Sequence, residues 1–124
     1  MATNLLFPFL TNTNGFDTGI AISNTAADPF GTVGKAGKCT LTFFGSGAPT
    51  PFTSGIITPG GQATFLMSTI APGFQGYGVA QCAFQFGHGF AFVSDVGARN
   101  LAMGYLPLVI CSNGAASPIE QLLP

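Results

Sequence analysis

Charge is what this sequence has least of. Three basic and four acidic residues make up 6% of its 124 positions, where ordinary globular proteins carry about 25%. The basic ones, Lys35, Lys38 and Arg99, are scattered. No cluster of cations exists to displace counterions from a phosphate chain, which excludes nucleic acid as a partner. The acidic ones, Asp17, Asp28, Asp95 and Glu120, are equally dispersed. That leaves no carboxylate pair of the kind glycosidases use and no run of oxygen donors for calcium. A net charge of −1 supplies little repulsion between copies, and weak repulsion favours association.

Long apolar runs are also missing. None approaches the roughly 18 residues that a membrane-spanning helix needs. With no Trp and only two Tyr, the chain lacks the aromatic girdles expected of a membrane barrel. The opening MATNLLFPFL has neither a basic n-region nor a cleavage site. An exported protein would therefore carry this sequence as its mature form or as one of its domains. Helical periodicity is absent, and 18 Gly with 9 Pro would interrupt most helices.

What remains is a chain 47% hydrophobic with 13 Phe, its polar residues mostly Thr, Ser, Asn, Gln and Gly. Short β-rich runs alternate with turn clusters, the spacing of a sandwich or barrel. The pattern predicts strands at about 4–11, 16–24, 38–46, 62–70, 76–86, 88–95 and 101–111. The turns are TNTNG (11–15), TPGG (58–61), GHG (87–89) and SNG (112–114), with the Gly and Asn chemistry that tight turns require. Two longer loops span 24–38 and 45–55. We expect a single all-β domain over 1–124, an antiparallel β-sandwich of about seven strands (Ig-like or jelly-roll-like), with 1–11 as a candidate donor strand or N-terminal extension.

Side chains alternate across a strand, so parity sorts the faces. Cys39, Leu41 and Phe43 share one face against Thr40 and Thr42. Ala80, Cys82, Phe84 and Phe86 share one against Gln81 and Gln85. Ile20 and Ile22 oppose Ala21 and Ser23. The segments 4–11 and 101–111 are different, being apolar on both faces and interrupted by Pro8 and Pro107. Proline in strands is largely confined to edges and bulges, which marks both terminal segments as expected edges.

Cys39 and Cys82 both point inward, which suits a disulfide in an oxidising compartment. The other reading is two reduced core cysteines. Cys111 is left over, either buried or free to pair between subunits. No Cys-x-x-Cys or Cys–His spacing suggests a metal site. His88 is the single histidine and sits between glycines. A general base would need a nucleophile and an orienting acid, for which Ser94 and Asp95 are the nearest candidates, and a turn residue is the simpler reading. Asp95 and Arg99 bracket SDVGARN, where a salt bridge or an Asx turn fits. Asp28 with Pro29 reads as a turn. GTVGKAGK lacks Walker spacing and leads into no helix. We therefore expect no enzyme, no catalytic residue, no metal and no cofactor.

The blocks NLLFPFLTNTNGFDTGIAISNTAADPFGT, GKCTLTFFG, IAPGFQGYGVAQCAFQF and HGFAFVSDVGARNLAMGYLPLVI resemble an uncharacterised group of secreted bacterial proteins from environmental genomes, where similar blocks recur in this order. The resemblance spans nearly all of 4–110. It implies export and a compact all-β domain, and the positions of Cys39 and Cys82 fit that group's pattern. It implies no activity, so no site residues carry over.

Taken together, these features lead us to expect an extracellular structural subunit that polymerises with itself into a filament or surface layer. Uncharged edges invite strand pairing. The expected interface is Leu5, Leu6, Phe7, Pro8, Phe9 and Leu10, donated to a neighbour's sheet as in pilin-like assembly. The alternative is a secreted glycan- or ligand-binding adhesin module using loops 24–38 and 45–55.

Overall fold

The computed structural model describes residues 3–25, 34–95 and 102–110. Within them the chain runs β1 (Thr3–Thr11), β2 (Asp17–Asn24), β3 (Cys39–Ser46), β4 (Phe52–Thr53), β5 (Gln62–Leu66), α1 (Met67–Ile70), β6 (Gln75–Cys82), β7 (Gly87–Ser94), β8 (Ala102–Tyr105) and β9 (Leu108–Ile110). Two antiparallel sheets form, one in the order β4-β3-β6-β1-β9 and the other β5-β2-β7-β8. The architecture is the expected all-β sandwich, with more and shorter strands than the sequence suggested.

Alternation places the core. In β2, Thr18, Ile20, Ile22 and Asn24 are buried while the residues between them are half-exposed. Cys39, Leu41 and Phe43 of β3 face inward as parity predicts, meeting Leu5, Phe7 and Leu10 of β1 and Ala91 of β7 in one cluster. Burying each such Leu, Ile or Phe side chain stabilises by about 1.5–3 kcal/mol. The TNTNG turn carries β1 into β2, with Asn14 and Gly15 at positive φ (55° and 82°), the backbone form that Asn-Gly adopts most readily.

Five expectations need correction. The predicted strand 62–70 stops at Leu66, because Asp17 captures the chain. Its carboxylate accepts from the Ser68 N–H at 3.0 Å and the Ser68 hydroxyl at 2.6 Å, turning the chain into α1 and burying Met67. The strand expected over 76–86 ends at Cys82, and its alternation persists only as far as buried Phe84, leaving Phe86 exposed. The turn then falls at 83–86, so GHG lies inside β7 and His88 is a strand residue, not a turn residue. Finally, 101–111 is two strands in different sheets, β8 and β9, separated at Leu106 and Pro107. Proline has no N–H for a ladder, and the chain changes sheet there.

The largest correction concerns β1. It is no edge, because it pairs antiparallel with β6 along most of its length and with β9 through Asn4–Leu6. Pro8 is accommodated by a β-bulge. Phe7 opposes Gly78 and Leu10 opposes Gly76, so Pro8 and Phe9 together face Tyr77. Bulges are where a strand tolerates a missing donor. The expected edge character survives only in β8 and β9, which end their sheets.

Candidate assembly surfaces

The cysteines lie directly opposite each other on β3 and β6, with Cα atoms 4.0 Å apart, and form a disulfide. Closing a sequence separation of 43 stabilises by about 4 kcal/mol in the chain-entropy model. Both are fully buried, so reductants in solvent reach them poorly. Cys111 lies outside the described residues, as do the SNG turn, Asp28, Arg99 and Glu120.

The six residues expected to join a neighbour divide between two environments. Leu5, Phe7 and Leu10 fill the core of their own chain, whereas Leu6 is half-buried and Pro8 and Phe9 are exposed. Three polar anchors hold the strand in place. The Thr3 hydroxyl sits 2.7 Å from the Phe84 carbonyl and 2.6 Å from that of Gln85, and it accepts from the Gly87 N–H at 3.0 Å. At the other end the Thr18 hydroxyl donates to the Thr11 carbonyl and accepts from its N–H, both at 2.9 Å. At the bulge the Tyr105 hydroxyl reaches across from β8 and donates to the Phe9 carbonyl. It also takes the Phe9 N–H at 3.4 Å. Burial pushes the Tyr105 phenol up to about 12, opposed in part by that backbone hydrogen bond.

His88 stands on the outer face of β7 with Nδ1 2.9 Å from the Thr25 hydroxyl. That hydroxyl also lies 2.8 Å from the Phe86 carbonyl, which can only accept. With the hydroxyl proton directed at Phe86, Thr25 accepts from His88, whose Nδ1 then carries the proton. A base activating a nucleophile needs the opposite arrangement. Ser94, the other nucleophile considered, is on the same strand, while Asp95 is buried.

The two loops offered as one recognition surface diverge. Residues 24–25 and 34–38 adjoin the Cys39 end of β3, where Gly37 bridges Ile57 and the Asn24 amide donates to the Lys35 and Ile57 carbonyls. The tip of 45–55 leaves the Ser46 end, where Ser46 opposes Gln75 and Gly47 packs near the Gly73 carbonyl. The length of β3 separates them, roughly 25 Å at 3.3 Å per residue. Residues 52–55 return to that end, Phe52 and Thr53 paired with Leu41 and Thr40 and the Ser54 N–H donating to the Cys39 carbonyl.

Large apolar side chains instead lie on the outer faces of both sheets. On the five-stranded sheet, Phe44 and Tyr77 stack across β3 and β6 with ring centroids 5.1 Å apart and an interplanar angle of 18°. They remain 42% and 46% exposed. On the four-stranded sheet Leu66, Phe90 and Phe92 are 52%, 43% and 44% exposed. The lateral edges β4, β5, β8 and β9 contain no Lys, Arg, Asp or Glu. Parity could have found the aromatic pairs. Phe44 follows Thr40 and Thr42 outward, and in GHGFAFVS the positions of Phe90 and Phe92 oppose Ala91 and Val93.

Among the described residues, no group of three or more His, Cys, Asp or Glu comes together, and no helix is long and apolar enough to cross a membrane. Comparison with protein-family models, with curated proteins and with solved structures found no match in any of the three.

Proposed function

We propose that this chain is a structural subunit that assembles with copies of itself outside the cell, as a filament or surface layer. The observation that carries this reading is that all four lateral edge strands are uncharged. Proteins that stay monomeric normally guard such edges with Lys, other charges or bulges. Exposed apolar side chains on both outer faces add to it, and the buried Cys39–Cys82 disulfide is compatible with an oxidising, extracellular setting.

Assembly through residues 4–10 takes a specific form under this reading. Because β1 is seated between β6 and β9, it would have to be exchanged between chains rather than donated from a free end. An exchanged strand rebuilds the contacts it leaves, so the exchange gains nothing from those contacts and requires transient opening of the sheet. Removing residues 1–10 would test this poorly, since it also removes Leu5, Phe7 and Leu10 from the core.

A covalent lock is cleaner. Asn4 lies opposite Gln81, so the double variant Asn4→Cys, Gln81→Cys would tie β1 to its own sheet. Negative-stain electron microscopy and light scattering would then be compared before and after mild reduction. Strand exchange requires that the oxidised protein stay monomeric and that reduction restore polymers. Identical fibres in both states would exclude exchange while leaving self-assembly standing. Wild-type protein that is monomeric at every concentration would overturn the whole proposal.

A further inference from the structure

We infer that copies join edge to edge along one sheet, with β8 of one copy adding to β5 of the next. This rests on the self-assembly reading, names the two edges and their register, and leaves β1 in place. Strand direction is the first argument. In the four-stranded sheet every neighbour is antiparallel, so an even number of strands leaves β5 and β8 running in opposite directions. A second copy in the same orientation therefore brings its β5 antiparallel to β8. The five-stranded sheet is also antiparallel throughout, and its odd number leaves β4 and β9 running the same way. Repeating that sheet would demand parallel pairing between strands of two and three residues.

Hydrogen-bond phase is the second argument. The Asn24 N–H donates to the Gly61 carbonyl at 3.0 Å. Bonded pairs alternate along an antiparallel ladder, so Ile22–Ala63 and Ile20–Phe65 carry the β2–β5 bonds. Gln62, Thr64 and Leu66 then direct their backbone groups to the free side. The Thr25 N–H donates to the Phe86 carbonyl at 2.8 Å, and the same alternation carried across β7 puts the β7–β8 bonds on Val93–Met103 and Ala91–Tyr105. Ala102 and Gly104 direct theirs to the free side. On both strands these residues share the outer face with Ala21 and Phe92, so the two edges match in face and in phase. A slip of one residue would break both matches.

Among the registers in phase, the one with Leu66 opposite Ala102 and Thr64 opposite Gly104 sets all four residues of β8 against β5. It sets each larger side chain against a smaller one. Pairing β5 with its own copy about Thr64 would set Leu66 against Gln62, and pairing β8 with its own copy would leave only Ala and Gly in the bonded pairs. The occupant is a second copy because one sheet carries both complementary edges, and neither holds a charge that would turn a strand away. The edges are different surfaces, so the contact is heterologous, and repeating it without closure gives a fibre.

The test is a cross-link at the seam, made in a Cys111→Ser background. Residues in a bonded antiparallel pair have Cα atoms about 5.5 Å apart, a span that a disulfide bridges. The double variant Leu66→Cys, Ala102→Cys should therefore give a ladder of covalent oligomers on a non-reducing gel after mild oxidation. An equimolar mixture of the two single variants should give only the mixed dimer. Separately, Thr64→Lys places a charge on the edge and should raise the protein concentration needed for assembly by about tenfold, as read by light scattering. Circular dichroism and thermal melting check its folding, with Thr64→Pro as a second variant that removes an edge-facing N–H. If wild type assembles and the double variant gives no ladder, only this seam fails. Dimers from either single variant alone, or assembly of both Thr64 variants at the wild-type concentration, would also overturn it. If wild type never assembles, the self-assembly reading fails with it.

Discussion

The first described strand and the last two read alike in sequence and end in opposite situations. Thr3–Thr11 and 102–110 are both uncharged, both apolar on each side and both broken by one proline. Yet β1 lies in the interior of its sheet with Leu5, Phe7 and Leu10 buried, while Met103, Leu108 and Val109 remain exposed on edge strands. Hydropathy reports how well a segment tolerates burial, not whether it is buried. What separates the two is where the proline meets the hydrogen-bond ladder. Pro8 falls in a bulge and β1 continues beyond it, whereas Pro107 falls where the chain leaves one sheet for the other.

That contrast can be broken by substitution. The largest effect is expected for Phe7→Ala, which opens a cavity in the core and should cost about 3–5 kcal/mol. Val109→Ala on the edge should change stability by less than about 0.5 kcal/mol. Urea titrations of the two variants side by side would abolish the distinction if their losses were equal.

A smaller loss is expected at Thr3. Thr3→Val keeps the shape but removes the hydroxyl partner of the Gly87 N–H and the Phe84 carbonyl, both in a buried corner, for about 1–3 kcal/mol. The same measurement checks it, and an unchanged midpoint would mean that apolar packing alone holds the start of β1.

A smaller loss again than at Thr3 is expected for Tyr105→Phe, which cuts the tie between β8 and the bulge for about 0.5–1.5 kcal/mol. It also carries a pH signature. Burial raises this phenol from 10.0 to about 12, so the folded state holds the neutral form more strongly than the unfolded state does. The stability this contributes is fully present below pH 10 and is lost as pH rises toward 12. Alkaline melts of wild type should therefore fall more steeply through that window than those of Tyr105→Phe. Parallel curves would mean the hydroxyl is not held as described.

Much of the fold was legible because alternation is a local property. Cys39, Leu41, Phe43, Ile20 and Ile22 point inward as their parity requires, and the inward placement of Cys39 and Cys82 fits the disulfide between them. The misreadings occurred where something distant in sequence intervened. Asp17 turned a predicted strand into α1 through Ser68, 51 residues away. The 83–86 turn ended the alternation that had placed Phe86 with Phe84. The six residues proposed from hydropathy as an interface contain three core positions, and Phe44, Tyr77, Phe90 and Phe92 went unremarked. Their outward orientation was nonetheless present in the period-two pattern.

By itself the sequence determined the β class, the inward faces, the Asn-Gly turn between β1 and β2 and the near-absence of charge, since each depends on composition or on residues a few positions apart. Only the tertiary structure decided that NLLFPFL is an interior strand, because strand order depends on pairing with residues 75–82 and 108–110. It likewise decided that Phe44 with Tyr77 and Phe90 with Phe92 stand on different sheets, a consequence of which strands pair with which.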